Sequence, residues 1–245
     1  MNVVIDVGNT RMKYAFFEMD CLKESGFGWE RLETALMGWK QKGEPIYVLL
    51  SGSGNIPEKY IVALREWADF FLEASSAIPM PLKIDYLTPN TLGFDRIANC
   101  VGAMKLFPDR PLLVIDSGTC ITYNYVDAHG VFLGGNISPG VEIRFNALHH
   151  YTAKLPCLKP VQKYGGIGRT TEEAIQNGVL SGMFFEVQTY VERFYHAESN
   201  GMVVVTGGNA DFLRDKGMEQ IYFCDVLGFL GLNEVLQYAK SVSKC

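Results

Sequence analysis

Asp6 and Gly8 in IDVGNT (5–10) return as Asp116 and Gly118 in IDSGTC (115–120), each pair directly after a run of apolar, mostly β-branched residues. An aspartate at such a point can hold a divalent cation or its waters, and a glycine turn without side-chain bulk exposes backbone N–H groups suited to phosphate oxygens. One such turn has an ordinary explanation, because glycine supplies left-handed backbone and aspartate caps turns. Two copies in one chain point to a phosphate clamp, to which Asn9, Thr10 and Thr119 add short polar groups. Lys13 adds either a point charge or only a solvated strand lysine. A third turn, TGGNA (206–210), follows another apolar strand, and Gly207 and Gly208 offer bare backbone on which an adenine or ribose can lie. Neither G-x-x-x-x-G-K-S/T nor G-x-G-x-x-G occurs, which argues against P-loop and Rossmann nucleotide binding.

LGFDR (92–96) sets an aspartate beside an arginine just ahead of a periodic segment. Asp95 stands where a helix N-cap belongs. Arg96 then falls in the first turn, where the helix dipole disfavours a cation by up to ~1 kcal/mol, and a bound anion would remove that conflict. An aspartate that accepts a hydroxyl proton, next to an arginine gripping the same substrate's carboxylate, is a workable catalytic pair. In GRTTEEA (168–174), Thr170 and Glu173 have capping-box spacing, so Thr170 reads as structural and Thr171 is left open. GGNISPG (134–140) fits either the wall of a site or plain turn chemistry, and His149 and His150 read as a surface pair at a helix end.

The elements that must position these residues follow from periodicity. NVVI and RMKYAFFE read as a hairpin, and LLVI, CITYNYV and VFLGG as an antiparallel meander, so a whole unit repeats about half a chain apart. Between the copies, RLETALMGWKQ and EKYIVALREWADFF have helical spacing, IYVLLSG reads as a buried strand, and AIPMPLKIDYLTPNT as a proline-rich connector. FDRIANCVGAMKLF is a helix. After the loop KLPCLKPVQKYGGIG, read as a possible flap, come a long helix from Thr171 to about Tyr195, the strand GMVVVTGG, a helix from Asp211, the strand IYF and a terminal helix near GLNEVLQYAK. Strands with crossover helices appended to each meander describe a duplicated α/β lobe.

Composition narrows the function classes. The 245 residues are 48% hydrophobic and 20% charged, enough for one large domain or for two lobes with cores of their own. A net charge of -5 argues against broad capture of nucleic acid or anionic membrane, and small-molecule partners are expected. The six cysteines are scattered without a C-x-x-C pair and read as free thiols. No leader pattern or long apolar run is present, so the expected location is the cytoplasm, with no membrane partner.

DVGNT, LGFDR, DSGT with GGNISPG, GRTTEEAIQNG and TGG, in this order along nearly the whole chain, resemble type III pantothenate kinase. The G-x-D-R box and GG-x-I-x-PG are specific to that family, while D-x-G-x-T alone marks the broader superfamily of acetate and sugar kinases, Hsp70 and actin. The resemblance implies an α/β fold of two ribonuclease-H-like lobes of duplicated topology with a cleft between them, expected at 1–110 and 111–245. It implies a homodimer and ATP-dependent phosphorylation of pantothenate, the first step toward coenzyme A. By position, Asp6, Gly8, Asn9, Thr10 and Lys13 correspond to one phosphate segment, Asp116, Gly118 and Thr119 to the second, and Gly207 and Gly208 to the adenosine segment. Asp6 and Asp116 are the expected metal contacts. Asp95 matches the general base, and Gly93, Arg96 and Thr171 match substrate contacts. The family uses Mg and a monovalent cation, K or NH4, but many members carry an acid where this chain has Asn124. A non-catalytic accessory factor or transcriptional regulator of the superfamily, and a kinase for another hydroxylated small acid, are the alternatives.

Overall fold

The structure is a computed structural model that describes residues 1–8, 11–52, 56–214 and 220–243. Of the expected site residues, Asn9 and Thr10 lie outside this set.

A sheet of five strands and a sheet of six have a five-strand order in common. The first opens with the antiparallel meander β1 (Asn2–Val7), β2 (Met12–Glu18) and β3 (Cys21–Phe27), then continues through α1 (Trp29–Lys40), β4 (Tyr47–Gly52), α2 (Glu58–Trp67) and β5 (Phe70–Glu73). β4 runs parallel to β1 and β5 parallel to β4, giving β3-β2-β1-β4-β5. A two-residue strand β6 (Lys83–Ile84) and α3 (Phe94–Leu106) follow. The pattern then restarts with β7 (Leu112–Ser117), β8 (Cys120–Val126), β9 (Val131–Pro139), α4 (Val141–His150), α5 (Thr171–Ala197), β10 (Met202–Thr206), α6 (Asp211–Arg214) and β11 (Ile221–Phe223), and α7 (Leu227–Val242) closes the chain. β10 runs parallel to β7 and β11 parallel to β10, so these strands repeat the order as β9-β8-β7-β10-β11. The duplication is therefore one of topology: each Asp-x-Gly turn joins the first two strands of its own ribonuclease-H-like sheet.

Apolar alternation makes each sheet. In the first, Val3, Ile5, Tyr14, Phe16, Val48 and Leu50 face Leu32 and Leu36 of α1 and Leu64 of α2. In the second, Leu113, Ile115, Ile121, Tyr123, Val203 and Val205 meet Phe145 of α4 and Leu180, Met183 and Val187 of α5. Burial of each such side chain contributes about 1.5–3 kcal/mol, which holds the turns at the strand ends in place.

Packing groups Met1–Pro108 with Val226–Cys245 in one unit and Asp109–Asp225 in the other. This division differs from the expected 1–110 and 111–245 in the terminal helix. Asn233 of α7 accepts from Asn2 Nδ2 at 2.8 Å and donates to Met19 O at 2.9 Å, and Lys240 donates to Asn2 Oδ1 at 2.9 Å. Lys105 of α3 pairs with Asp20 at 2.6 Å and with Glu234 of α7. Buried polar groups matched this way fix α7 on the first unit, because separating them would strand donors and acceptors away from water.

Candidate active site

In the first unit, Asp6 sits one residue before the end of β1, across from Lys13 of β2 and Ser51 of β4. Side chains paired across a ladder share a face, so all three project from one side of the sheet. Asn2 has the same parity and bonds to α7, and α7 in turn packs on α3, so Asp6 emerges on the helix-covered face that α3 shares. The Gly8 N–H closes the turn on Arg11 O at 3.3 Å.

α3 carries the acceptor residues. Gly93 is its N-cap, with ψ 134, so Asp95 is the second residue inside the helix and not the cap expected from its spacing. The difference has a local cause: Asp95 Oδ1 accepts from the Arg96 N–H at 2.8 Å, satisfying a first-turn donor from within the turn. Asp95 is exposed, whereas Arg96 is 6% exposed with its guanidinium 5.9 Å from the Tyr86 ring centroid. A buried cation in the first turn is the conflict with the helix dipole that the sequence anticipates. One turn on, burial pushes the Cys100 thiol up to about 12 while the charge of Arg96 works against it, leaving a neutral packing group.

The second unit brings three of the sequence motifs together. Asp116, half-buried, lies across from Thr122 of β8 and Thr206 of β10. The turn after it is gripped from two sides. Gly140 donates to Thr119 O at 3.0 Å, and Asn209 donates from its backbone to Ser117 O at 2.8 Å. Asn209 Nδ2 also donates to Gly118 O at 3.2 Å and to Glu142 of α4 at 3.0 Å. At Gly140 a β-carbon would stand 2.3 Å from Gly118 O, so only glycine lets the Ser138-Pro139-Gly140 bend close on the turn. Gly207 has φ 102, and a β-carbon there would stand 2.5 Å from Asp116 Oδ1, while Gly208 faces open space.

Thr170 caps α5 by accepting from Glu173 N–H at 3.2 Å, as the capping-box spacing predicts, while the Glu173 carboxylate reaches one residue beyond the cap to accept from Arg169 N–H at 2.8 Å. Thr171 is the exposed first residue of that helix. The preceding loop is tied down at Tyr164, which donates to Phe212 O at 3.0 Å, and at Gly165, which donates to Asn177 Oδ1 at 2.9 Å. Asn124 is fully buried, its amide donating to Val114 O at 3.2 Å and Thr122 Oγ1 at 3.0 Å. Asn209 and Glu142 belong to the site and carry no role in the sequence reading, although Asn209 directly follows the Gly-Gly pair, whereas Gly140 closes the GGNISPG motif read as either a site wall or turn chemistry.

These features suit a magnesium nucleotide. Mg is ordinarily held by one or two carboxylates plus phosphate oxygens, and Asp6 and Asp116 each put a partly exposed carboxylate at the mouth of a glycine turn. The crowding at Gly207 and the openness at Gly208 leave bare backbone beside the Asp116 turn.

A sequence profile described as type III pantothenate kinase matches residues 2–193. A protein of Cytophaga hutchinsonii named type III pantothenate kinase is 37% identical over 238 residues, covering 97% of this chain and 99% of the relative. A Campylobacter jejuni structure described as a conserved Baf family transcriptional activator is similar in fold, with TM-score 0.62 and 17% identity, covering 98% of this chain and 99% of that one. The activator of the 2-hydroxyisocaproyl-CoA dehydratase from Clostridium difficile, solved with bound ADPNP, has TM-score 0.56 and 15% identity, covering 99% of this chain and 97% of that one. With a profile match over most of its length and a full-length relative well above 30% identity, this chain belongs to the type III pantothenate kinase family.

Proposed function

We propose that this chain transfers the γ-phosphoryl group of ATP to the primary hydroxyl of pantothenate, giving 4'-phosphopantothenate and ADP in the first step toward coenzyme A. The observation that carries this reading is full-length family identity combined with an intact Gly93-Phe94-Asp95-Arg96 box opening α3.

Phosphoryl transfer spreads charge over oxygens in a loose transition state, so the chain's residues chiefly position and stabilise. Asp95 takes the hydroxyl proton as general base, a role worth ~100- to 10,000-fold. Arg96 pairs with the pantothenate carboxylate, and Gly93 and Thr171 line the acceptor. Asp6, Gly8, Asn9, Thr10 and Lys13, together with Asp116, Gly118 and Thr119, hold the triphosphate, and Gly207 and Gly208 lie against the adenosine. Asp6 and Asp116 would hold Mg, which supplies neutralising charge on the phosphate oxygens when bound. Asn124 offers no acid at that position, and its Nδ2 donates within the sheet, so we assign no K or NH4 ligand there.

A homodimer belongs to the same reading. Leu133 and Ile137 of β9 and Phe185 of α5 are exposed apolar side chains that a second copy would cover. The setting is the cytoplasm, where ATP is supplied, and no helix among the described residues is long and apolar enough to cross a membrane. Likeness to a transcriptional activator at 17% identity speaks to fold alone, and the intact Asp95 and Arg96 pair favours the kinase.

Purified protein supplied with ATP and, separately, pantothenate, pantetheine and simple sugars tests the reading. Formation of ADP with pantothenate is expected. Turnover only with a sugar, or none with any acceptor, would overturn it.

A further inference from the structure

The second unit holds an ion cluster that this reaction leaves unused. Glu186, midway along α5, accepts from Tyr123 Oη of β8 at 2.7 Å, from Ser138 Oγ of β9 at 2.5 Å and from the Arg144 guanidinium of α4 at 2.5 Å. Arg144 also donates through Nε to Pro139 O at 2.8 Å and through the same Nη2 that meets Glu186 to Ser138 Oγ at 3.3 Å. Burial pushes the Glu186 carboxyl up, yet the bonds from Arg144, Ser138 and Tyr123 outweigh it and hold the group below the usual carboxylate range. One carboxylate therefore joins two helices and two strands through charge-assisted bonds.

The cluster converges on Ser138 and Pro139, and the next residue is Gly140. Gly140 is the residue whose N–H holds Thr119 O and whose missing side chain lets the bend close on Gly118 O. α4 grows directly from the same bend, with Arg144 N–H donating to Gly140 O at 3.1 Å. Its first turn carries Glu142, which accepts from Asn209, the other residue gripping the turn. The path from Glu186 to the Asp116–Thr119 turn thus runs through hydrogen bonds and one three-residue bend. A charged group with side-chain exposure of only 26% carries a desolvation cost, and an apolar residue would fill the space without it. What the charge adds is a fixed geometry for the bend.

We propose that Glu186 is a positioning residue: through Arg144 and Ser138 it fixes the Pro139-Gly140 bend, and with it the backbone of the Gly118-Thr119 turn that faces the ATP phosphates. The inference rests on the reading that this turn holds the triphosphate.

The test is calorimetric titration of ADP with Mg, without pantothenate or turnover, into Glu186→Gln, Arg144→Met, Tyr123→Phe and Asp116→Asn, with Tm measured in parallel. Glu186→Gln and Arg144→Met are each expected to weaken ADP about tenfold, and the double variant no more than either single, because the pair acts as a unit. Tyr123→Phe leaves Arg144 and Ser138 in place and should stay within about twofold of wild type, while Glu186→Asp, which keeps the charge, should recover part of the loss. In steady state the KM for ATP should rise while that for pantothenate holds. Unchanged ADP affinity in Glu186→Gln, with affinity lost in Asp116→Asn, overturns the positioning role and leaves the phosphate assignment standing. Equal losses for ADP and pantothenate that follow a falling Tm also overturn it, since a merely structural residue would behave that way. Unchanged affinity in Asp116→Asn as well removes the phosphate assignment and the proposal together.

Discussion

Gly207 and Asp116 are in contact: the backbone of the Gly-Gly turn passes so close to the carboxylate that a β-carbon at Gly207 would lie 2.5 Å from Asp116 Oδ1 and 2.5 Å from Ser117 O. Residues 91 positions apart are thereby locked into one surface, joining the expected adenosine and phosphate segments.

Gly207→Ala should therefore cost both stability and nucleotide. At φ 102 an alanine is strained, and its methyl meets backbone that cannot rotate away. A loss of about 1–3 kcal/mol is expected. Thermal denaturation with and without ADP checks this: the variant should melt lower and show little of the ADP-dependent rise in Tm that wild type shows. A variant with wild-type Tm and wild-type response would contradict the contact.

Arg96→Lys should raise the KM for pantothenate about tenfold or more and leave the KM for ATP near wild type, since a lysine cannot reproduce bidentate pairing with a carboxylate. Initial rates over both substrates provide the measurement. A change confined to ATP would separate Arg96 from the acceptor.

Glu186 gives a pH dependence whose sign follows from its lowered pKa. The unfolded chain takes up that proton near the ordinary value of 4.5, and the folded chain only at lower pH. Its contribution is therefore complete above 4.5 and is lost as pH falls through the folded value. Melting curves between about pH 6 and about pH 3 should show the gap between wild type and Glu186→Gln narrowing as pH falls. A gap that stays constant would mean the carboxylate is not held by its partners.

Asn233→Ala should destabilise the protein by about 1–3 kcal/mol, because the buried Asn2 amide loses its acceptor and the Met19 carbonyl is left with the longer bond from Gln237 at 3.4 Å. Denaturant titration at neutral pH reads this directly, and activity per folded molecule should be unaffected. An unchanged midpoint would show that α7 is held by apolar packing alone.

Much of this architecture was legible in the residues. Repeated apolar strands ending in Asp-x-Gly announced the two hairpins, and Thr170 with Glu173 marked the start of α5 correctly. β3 was missed because Cys21–Phe27 is an edge strand with almost every residue exposed, so it has no apolar alternation to read. β5 was read as the end of a helix. Ala68 turns extended, and Asp69 exchanges bonds with Ile46 at 2.8 Å through both backbone and carboxylate, which stops α2 at Trp67 and sends Phe70–Glu73 into the sheet. No local pattern near residue 226 announces that α7 returns to the first unit, since the Asn2 and Asn233 pair spans 231 positions. The Glu186 cluster was equally invisible: its members come from β8, β9, α4 and α5, and each alone looks like an ordinary polar residue.

Phosphorus NMR of a reaction containing ATP, Mg and pantothenate tests the central claim most directly. Loss of the γ-phosphate signal should be matched by a phosphate monoester on the primary hydroxyl of pantothenate. Asp95→Asn, which alters an exposed side chain and should keep the wild-type Tm, should form that product ~100- to 10,000-fold more slowly. ATP consumed with pantothenate unmodified, or product formed at the wild-type rate by Asp95→Asn, would contradict the account.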